Sequence, residues 1–170
     1  MSPERSDAAW PTYRLSVDGR VDRPYELDYG DLSVMPGTSV SASFLCGSGE
    51  RWDGRWRGPA LTTLLDRADP SPETTHLLVE GAGGYVACVP VATAYDGVVA
   101  LERAEGGPLG REFPTRLVVP GVEAARTVKD VRRVAATALA PDESPETVER
   151  GVDESPRAEG EPTVRRGRRR

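Results

Sequence analysis

Pro114-Thr115-Arg116-Leu117-Val118-Val119-Pro120-Gly121 is the stretch that decides the fold. Arg116 to Val119 is a short run rich in branched apolar residues, and it reads as a buried strand. Pro120 has no backbone donor and Gly121 tolerates a turn, so the strand stops hard. Working outward, Gly106-Gly107-Pro108 marks the loop before it, and Val98–Glu102 reads as a further strand. After it, Val128, Val131 and Val134 have helical spacing, while their branched side chains also permit a strand.

Toward the N-terminus the same punctuation recurs. His76–Glu80 and Tyr85–Val89 flank Gly81-Ala82-Gly83-Gly84, the pattern of a hairpin, and Pro90–Ala94 suits a single helical turn. Leu61, Leu64 and Leu65 share a helical face, with Pro59 suited to a first helical position. Val40, Ala42, Phe44 and Cys46 fall on one face of an alternating strand, which runs into Gly47-Ser48-Gly49. Tyr13, Leu15 and Val17 alternate before a turn at Asp18-Gly19, and Tyr25–Leu27 is a second short strand. Asp31-Leu32 leads to a break at Pro36-Gly37. Short strands with one or two small helices and no internal repeat predict an α+β fold, a single mixed-sheet domain over residues 10–140.

The 170 residues carry 22 bases and 27 acids, a formal charge of −5. Lys129 is the single lysine; every other base is arginine, which points to compositional bias or salt adaptation. No apolar run nears the roughly 18 residues of a membrane span, so no membrane span is expected. Met1–Ala9 is too polar for a signal peptide, which points to the cytoplasm. The acidic balance argues against a general nucleic-acid binder. Residues 141–170 lack aromatics, Leu and Ile, and intersperse four prolines among acids and arginines. Such a segment buries too little apolar surface to offset its ordering entropy and is expected to be a disordered charged tail. Its end, Arg165-Arg166-Gly167-Arg168-Arg169-Arg170, reads either as a solvated block or as a contact for an anionic surface.

Two cysteines and one histidine leave a zinc site short of its roughly four N or S ligands. His76 opens a buried strand, a poor place for a catalytic base. Cys46 differs from Cys88. It ends a strand, enters a glycine-rich loop and precedes Arg51, Arg55 and Arg57, whose charge would favour the thiolate that attacks electrophiles and binds soft metals. Cys88 lies inside Val86-Ala87-Cys88-Val89 and reads as a core residue. Arg126-Thr127-Val128-Lys129 sets two cations and a hydroxyl close enough to grip a phosphate, or simply to be solvated.

The order of these pieces resembles the molybdopterin-binding oxidoreductase domain of the sulfite oxidase family. The resemblance runs from Tyr13 to Val134. It is carried by Tyr13–Gly19, by Phe44-Leu45-Cys46, and by Trp56-Arg-Gly58-Pro59-Ala60-Leu61. It continues through Gly84-Tyr85, Gly107-Pro108-Leu109 and Pro114–Gly121, and ends with Arg126 and Lys129. It implies the sulfite-oxidase type of mixed sheet and a molybdenum-molybdopterin cofactor. Cys46 would be the catalytic thiolate ligand of the metal, and Arg126 and Lys129 would hold the pterin phosphate. Thr127 would add a contact, and Arg116 would either line the site or anchor its strand. Glu123, where the family often has Tyr, would set negative charge beside that phosphate unless it is turned away or paired.

The resemblance implies oxygen-atom transfer, with a small-molecule or protein-borne oxo donor or acceptor and a separate electron-transfer partner. The alternative is a non-catalytic binding or interaction module on the same fold that has lost the cofactor.

Overall fold

The computed structural model describes residues 10–45, 49, 51–105, 109 and 113–152. Its elements follow the punctuation of the sequence. They begin with β1 (Arg14–Gly19), β2 (Tyr25–Asp28), α1 (Tyr29–Val34), β3 (Thr38–Leu45), β4 (Arg51–Gly58) and α2 (Leu61–Ala68). They continue with β5 (His76–Glu80), β6 (Val86–Pro90), α3 (Val91–Ala94), β7 (Val98–Ala100), β8 (Glu102–Arg103), β9 (Arg116–Val118) and β10 (Arg133–Thr137).

The strands form a five-stranded sheet in the order β2-β1-β10-β5-β6, a three-stranded sheet β3-β4-β8 and a two-stranded sheet β7-β9. Among the described residues only β1 and β10 pair in parallel. Arg133 clamps the centre of the large sheet. Its guanidinium donates to Asp18 on β1 and to Glu80 on β5, both at 2.7 Å. The α+β, mixed-sheet architecture is the one expected.

Apolar alternation builds two packing clusters. The larger gathers Leu15 and Val17 of β1, Leu61, Leu64 and Leu65 of α2, Leu77 and Val79 of β5, and Val134 of β10. The smaller places Val40, Ala42 and Phe44 of β3 and Trp56 of β4 over Val98, Ala100 and Val118. The clusters meet where β4 crosses β7. A Cβ on Gly58 would lie 2.0 Å from the Val99 carbonyl oxygen, so the crossing requires glycine.

Four differences from the sequence reading have physical causes. β4 was not anticipated; its inward residues Gly54 and Trp56 alternate with exposed arginines, a period-2 signal without branched residues. α1 exists because Asp28 and Asp31 cap it reciprocally, Asp31 N to Asp28 Oδ1 at 2.7 Å and Asp28 N to Asp31 Oδ2 at 3.0 Å. Ala60 is the N-cap of α2, so Pro59 stands before the cap and not inside the helix. The Val128–Val134 stretch is not helical: it turns at Asp130 and runs into β10 at Arg133.

Residues 141–152, the first part of the stretch expected as a charged tail, are among the described residues. Pro145–Thr147 form a 3-10 turn, Arg150 pairs with Val86 of β6, and Val152 enters the larger cluster. A few anchored residues fix this stretch, and average composition does not register them. Residues 153–170, with the Arg-rich end, lie outside the described residues.

Gly58→Ala is expected to destabilise the chain by roughly 2–3 kcal/mol through overpacking at the β4–β7 crossing. A urea melt checks this: the midpoint should fall with little change in slope.

Candidate functional site

The decisive stretch and the segment that returns beside it form one scaffold. Thr115 is fully buried. Its carbonyl accepts from Asp130 N at 2.8 Å, and its hydroxyl accepts from Val131 N at 2.9 Å. Leu117 N donates to the Val128 carbonyl at 2.8 Å. The Tyr13 hydroxyl joins this node, donating to the Val131 carbonyl and lying 3.2 Å from Thr115 Oγ1. Burial pushes the Tyr13 phenol well above its ordinary range, so it stays a neutral donor. Asp130 takes a left-handed backbone at φ 57° and accepts a two-pronged bond from Arg132, at 3.0 and 3.1 Å. The return passes close over Gly81, where a Cβ would lie 2.5 Å from the Lys129 carbonyl oxygen.

This scaffold brings together three of the residues anticipated from sequence. Arg116 and Lys129 sit opposite each other in an isolated antiparallel bridge. Arg116 Nη2 donates to Thr127 Oγ1 at 3.0 Å, and Thr127 is buried. Lys129 is exposed, with Nζ 5.5 Å from the Phe113 ring centroid. Burial lowers the pKa of Arg116, and the nearby Arg103 guanidinium lowers it further. Arg103, which lies 5.5 Å over the Trp56 ring, was not anticipated; it becomes visible only once β8 is placed beside β4. Gathering cations costs energy in the absence of an anion, so the set is suited to a phosphate or another compact anion.

Arg126 is turned elsewhere. Its Nε and Nη2 donate to the two carboxylate oxygens of Glu149, each at 2.7 Å, and its Nη1 donates to Glu123 Oε1 at 2.7 Å. Glu146 adds a carboxylate oxygen 3.9 Å from Nη2. The hydrogen bonds it donates to Glu149 are the main reason the Arg126 pKa is raised. Glu123 is therefore paired, the condition under which its charge is tolerable here. Glu149 has only 5% of its side chain exposed, and its Oε2 also accepts from Cys88 N at 2.9 Å. Glu149 was missed because it lies in the stretch read as tail.

Cys46 lies outside the described residues; the chain leaves β3 at Leu45, the residue before it. Cys88 is buried in β6, and burial, aided by Glu149, pushes its thiol up to about 11. His76 opens β5, and its Nδ1 lies 2.9 Å from Thr75 Oγ1. Among the described residues no group of His, Cys, Asp and Glu forms a metal site, and no helix is long and apolar enough to cross a membrane. A cleft of about 730 Å³ opens against the β3–β4 hairpin, lined by Ser41, Ser43, Asp53, Arg55, Glu105 and Gly121 among others.

A model of the oxidoreductase molybdopterin binding domain matches residues 2–144. The chain is 36% identical to sulfite oxidase of Gallus gallus over 169 aligned positions, covering 79% of this chain and 36% of that protein. It is 26% identical to a nitrate reductase (NADPH) of Aspergillus niger, covering 79% of this chain and 19% of that one. Among solved structures, the sulfane dehydrogenase SoxCD of Paracoccus pantotrophus superposes with a TM-score of 0.70 at 28% identity. That match covers 84% of this chain and 41% of the neighbour, so the chain spans well under half of each relative.

Raised folded-state pKa values carry a sign. The Cys88 thiol is stable in the fold while protonated, so its contribution is fully present below about pH 9 and is lost as pH rises toward about 11. The urea midpoint should fall across that window, and Cys88→Ala should remove the part of the fall due to this thiol. Glu149→Ala should cost roughly 1–3 kcal/mol at neutral pH, because it leaves the Cys88 amide without its acceptor and Arg126 with only the more exposed Glu123 and Glu146. The same melts read both.

Proposed function

The chain belongs to the oxidoreductase molybdopterin-binding domain family, and we propose that it is the molybdenum-bearing part of an oxidoreductase that transfers an oxygen atom, with the Cys46 thiolate as the protein ligand of the metal. The cofactor of this domain type is molybdenum-molybdopterin. The observation that carries the reading is the convergence of Arg116, Thr127 and Lys129 on β9 and its return segment. That set fits the phosphate of the cofactor. Burial first, and then the Arg103 guanidinium, disfavour the charged form of Arg116, and a bound anion would favour it. Arg126 does not fit while Glu149 holds it.

Each residue has a definite task. Lys129 offers an exposed point charge to the phosphate; Arg116, fixed against Thr127, offers a directed guanidinium. Cys46 would supply the soft thiolate that molybdenum favours. When bound, the molybdenum centre supplies two-electron oxygen-atom transfer, and the protein supplies ligation, orientation and electrostatics. An oxo donor or acceptor, small or protein-borne, is the second reactant that this chemistry calls for. Re-oxidation or re-reduction of the centre calls for a separate electron-transfer partner.

A second reading is favoured by one observation. Arg126 is filled by carboxylates, as it would be in a binding module on the same fold that no longer holds the cofactor. Elemental analysis separates the two. Chain produced in a cofactor-competent host should carry about one molybdenum per molecule, lost in Cys46→Ser, with the melt of the variant unchanged. Wild-type protein without molybdenum would leave the module reading standing.

A further inference from the structure

Residues 145–152 are held to the body of the chain by few anchors. Arg150 exchanges two backbone hydrogen bonds with Val86 at the edge of the large sheet, at 2.8 and 2.9 Å. Gly151, at φ 81°, packs on the Tyr85 ring, where a Cβ would come within 3.0 Å of Cδ2. Val152 enters the larger apolar cluster. The remaining anchor is ionic: the nearly buried Glu149 takes two donors of Arg126 and the Cys88 amide.

Docking of this strap therefore uses the fork of Arg126, whose neighbour in sequence, Thr127, belongs to the phosphate-suited set. Arg126 precedes Thr127 in sequence, and Thr127 is bonded to Arg116. A carboxylate and a phosphate both match a guanidinium fork, but the same two N–H groups cannot serve both. Two anions brought to one guanidinium also repel each other.

We propose that the 145–152 strap is a displaceable internal ligand of Arg126. A phosphate monoester held by Arg116, Thr127 and Lys129 takes Arg126 from Glu149 and releases the strap from the β6 edge. The class of anion rests on the cofactor reading above; the competition does not require molybdenum. Glu149 cannot stay buried once its guanidinium partner leaves, because an unpaired carboxylate is strongly disfavoured there. The strap then comes off as a unit and uncovers the backbone groups of Val86 and Cys88.

Hydrogen exchange on the full chain tests this, with inorganic phosphate titrated against sodium chloride at matched ionic strength. At saturating phosphate the amides of Val86, Cys88 and Arg150 should exchange about tenfold faster or more, while Val17 in β1 stays protected. Glu149→Gln should lower the phosphate concentration needed, and Arg126→Gln should make exchange independent of phosphate. Equal exchange in phosphate and chloride would overturn the proposal, as would a full phosphate effect in Arg126→Gln. If Glu149→Gln does not fold, the wild-type titration decides alone. A response in molybdenum-free chain supports the strap even where the cofactor reading fails. A molybdenum-loaded chain with the strap still protected overturns the strap and leaves that reading intact.

Discussion

The buried Thr115 hydroxyl accepts the Val131 amide at 2.9 Å, and much of the architecture hangs on that bond. It joins β9, which belongs to the two-stranded sheet, to the segment that runs on into β10 at the heart of the five-stranded sheet. Tyr13 closes the node from the start of β1. Two sheets are thereby tied through side-chain and backbone groups shielded from water, where a satisfied network is strong and a half-satisfied one costly. The same tie sets Arg116 opposite Lys129 and brings Thr127 under the Arg116 guanidinium. Fold and candidate site are one construction here, because the residues that anchor the return are sequence neighbours of the residues that present charge.

The second ionic node behaves differently. Burying the Glu149 carboxylate against Arg126 costs desolvation that the fork and the Cys88 amide roughly offset, so its net contribution to stability is small while its removal is expensive. Such a pair determines where a segment lies more than how tightly the whole chain folds. That matches what it holds: a stretch with little apolar surface, placed on the edge of β6, where an uncovered strand would otherwise present free N–H and C=O groups.

Much of this was legible in the residues. Val40, Ala42 and Phe44 alternate and do form the buried face of β3; the glycines at 81–84 do lie in the β5–β6 hairpin. β4 was equally periodic, yet its outward positions are three arginines and an aspartate and its inward ones include Gly54, so no residue there advertises a strand. Its stability comes from pairing with β3 and from Trp56 lying 5.7 Å from Phe44, and neither is local. The strap was hidden for a related reason. Composition averaged over 141–170 describes a disordered chain, but Glu149, Arg150 and Val152 act one at a time, through partners more than twenty residues away. The cation set was named in sequence as Arg116, Arg126 and Lys129; the fold adds that Arg116 lies opposite Lys129 and that Glu149 claims Arg126.

The single lysine then gains a physical explanation that composition alone could not supply. Arg116 is directed, bonded to a buried hydroxyl and partly desolvated; Arg126 is saturated by carboxylates. A third guanidinium at position 129 would be large and planar, suited to forked pairing with a carboxylate. An ammonium on a flexible stem is a hydrated point charge that gains less from bidentate pairing, and it rests against the Phe113 ring at 5.5 Å. In a chain that otherwise uses arginine for every base, lysine at this position keeps one cation exposed opposite an arginine that is held, which is the division of labour an anion-binding site needs.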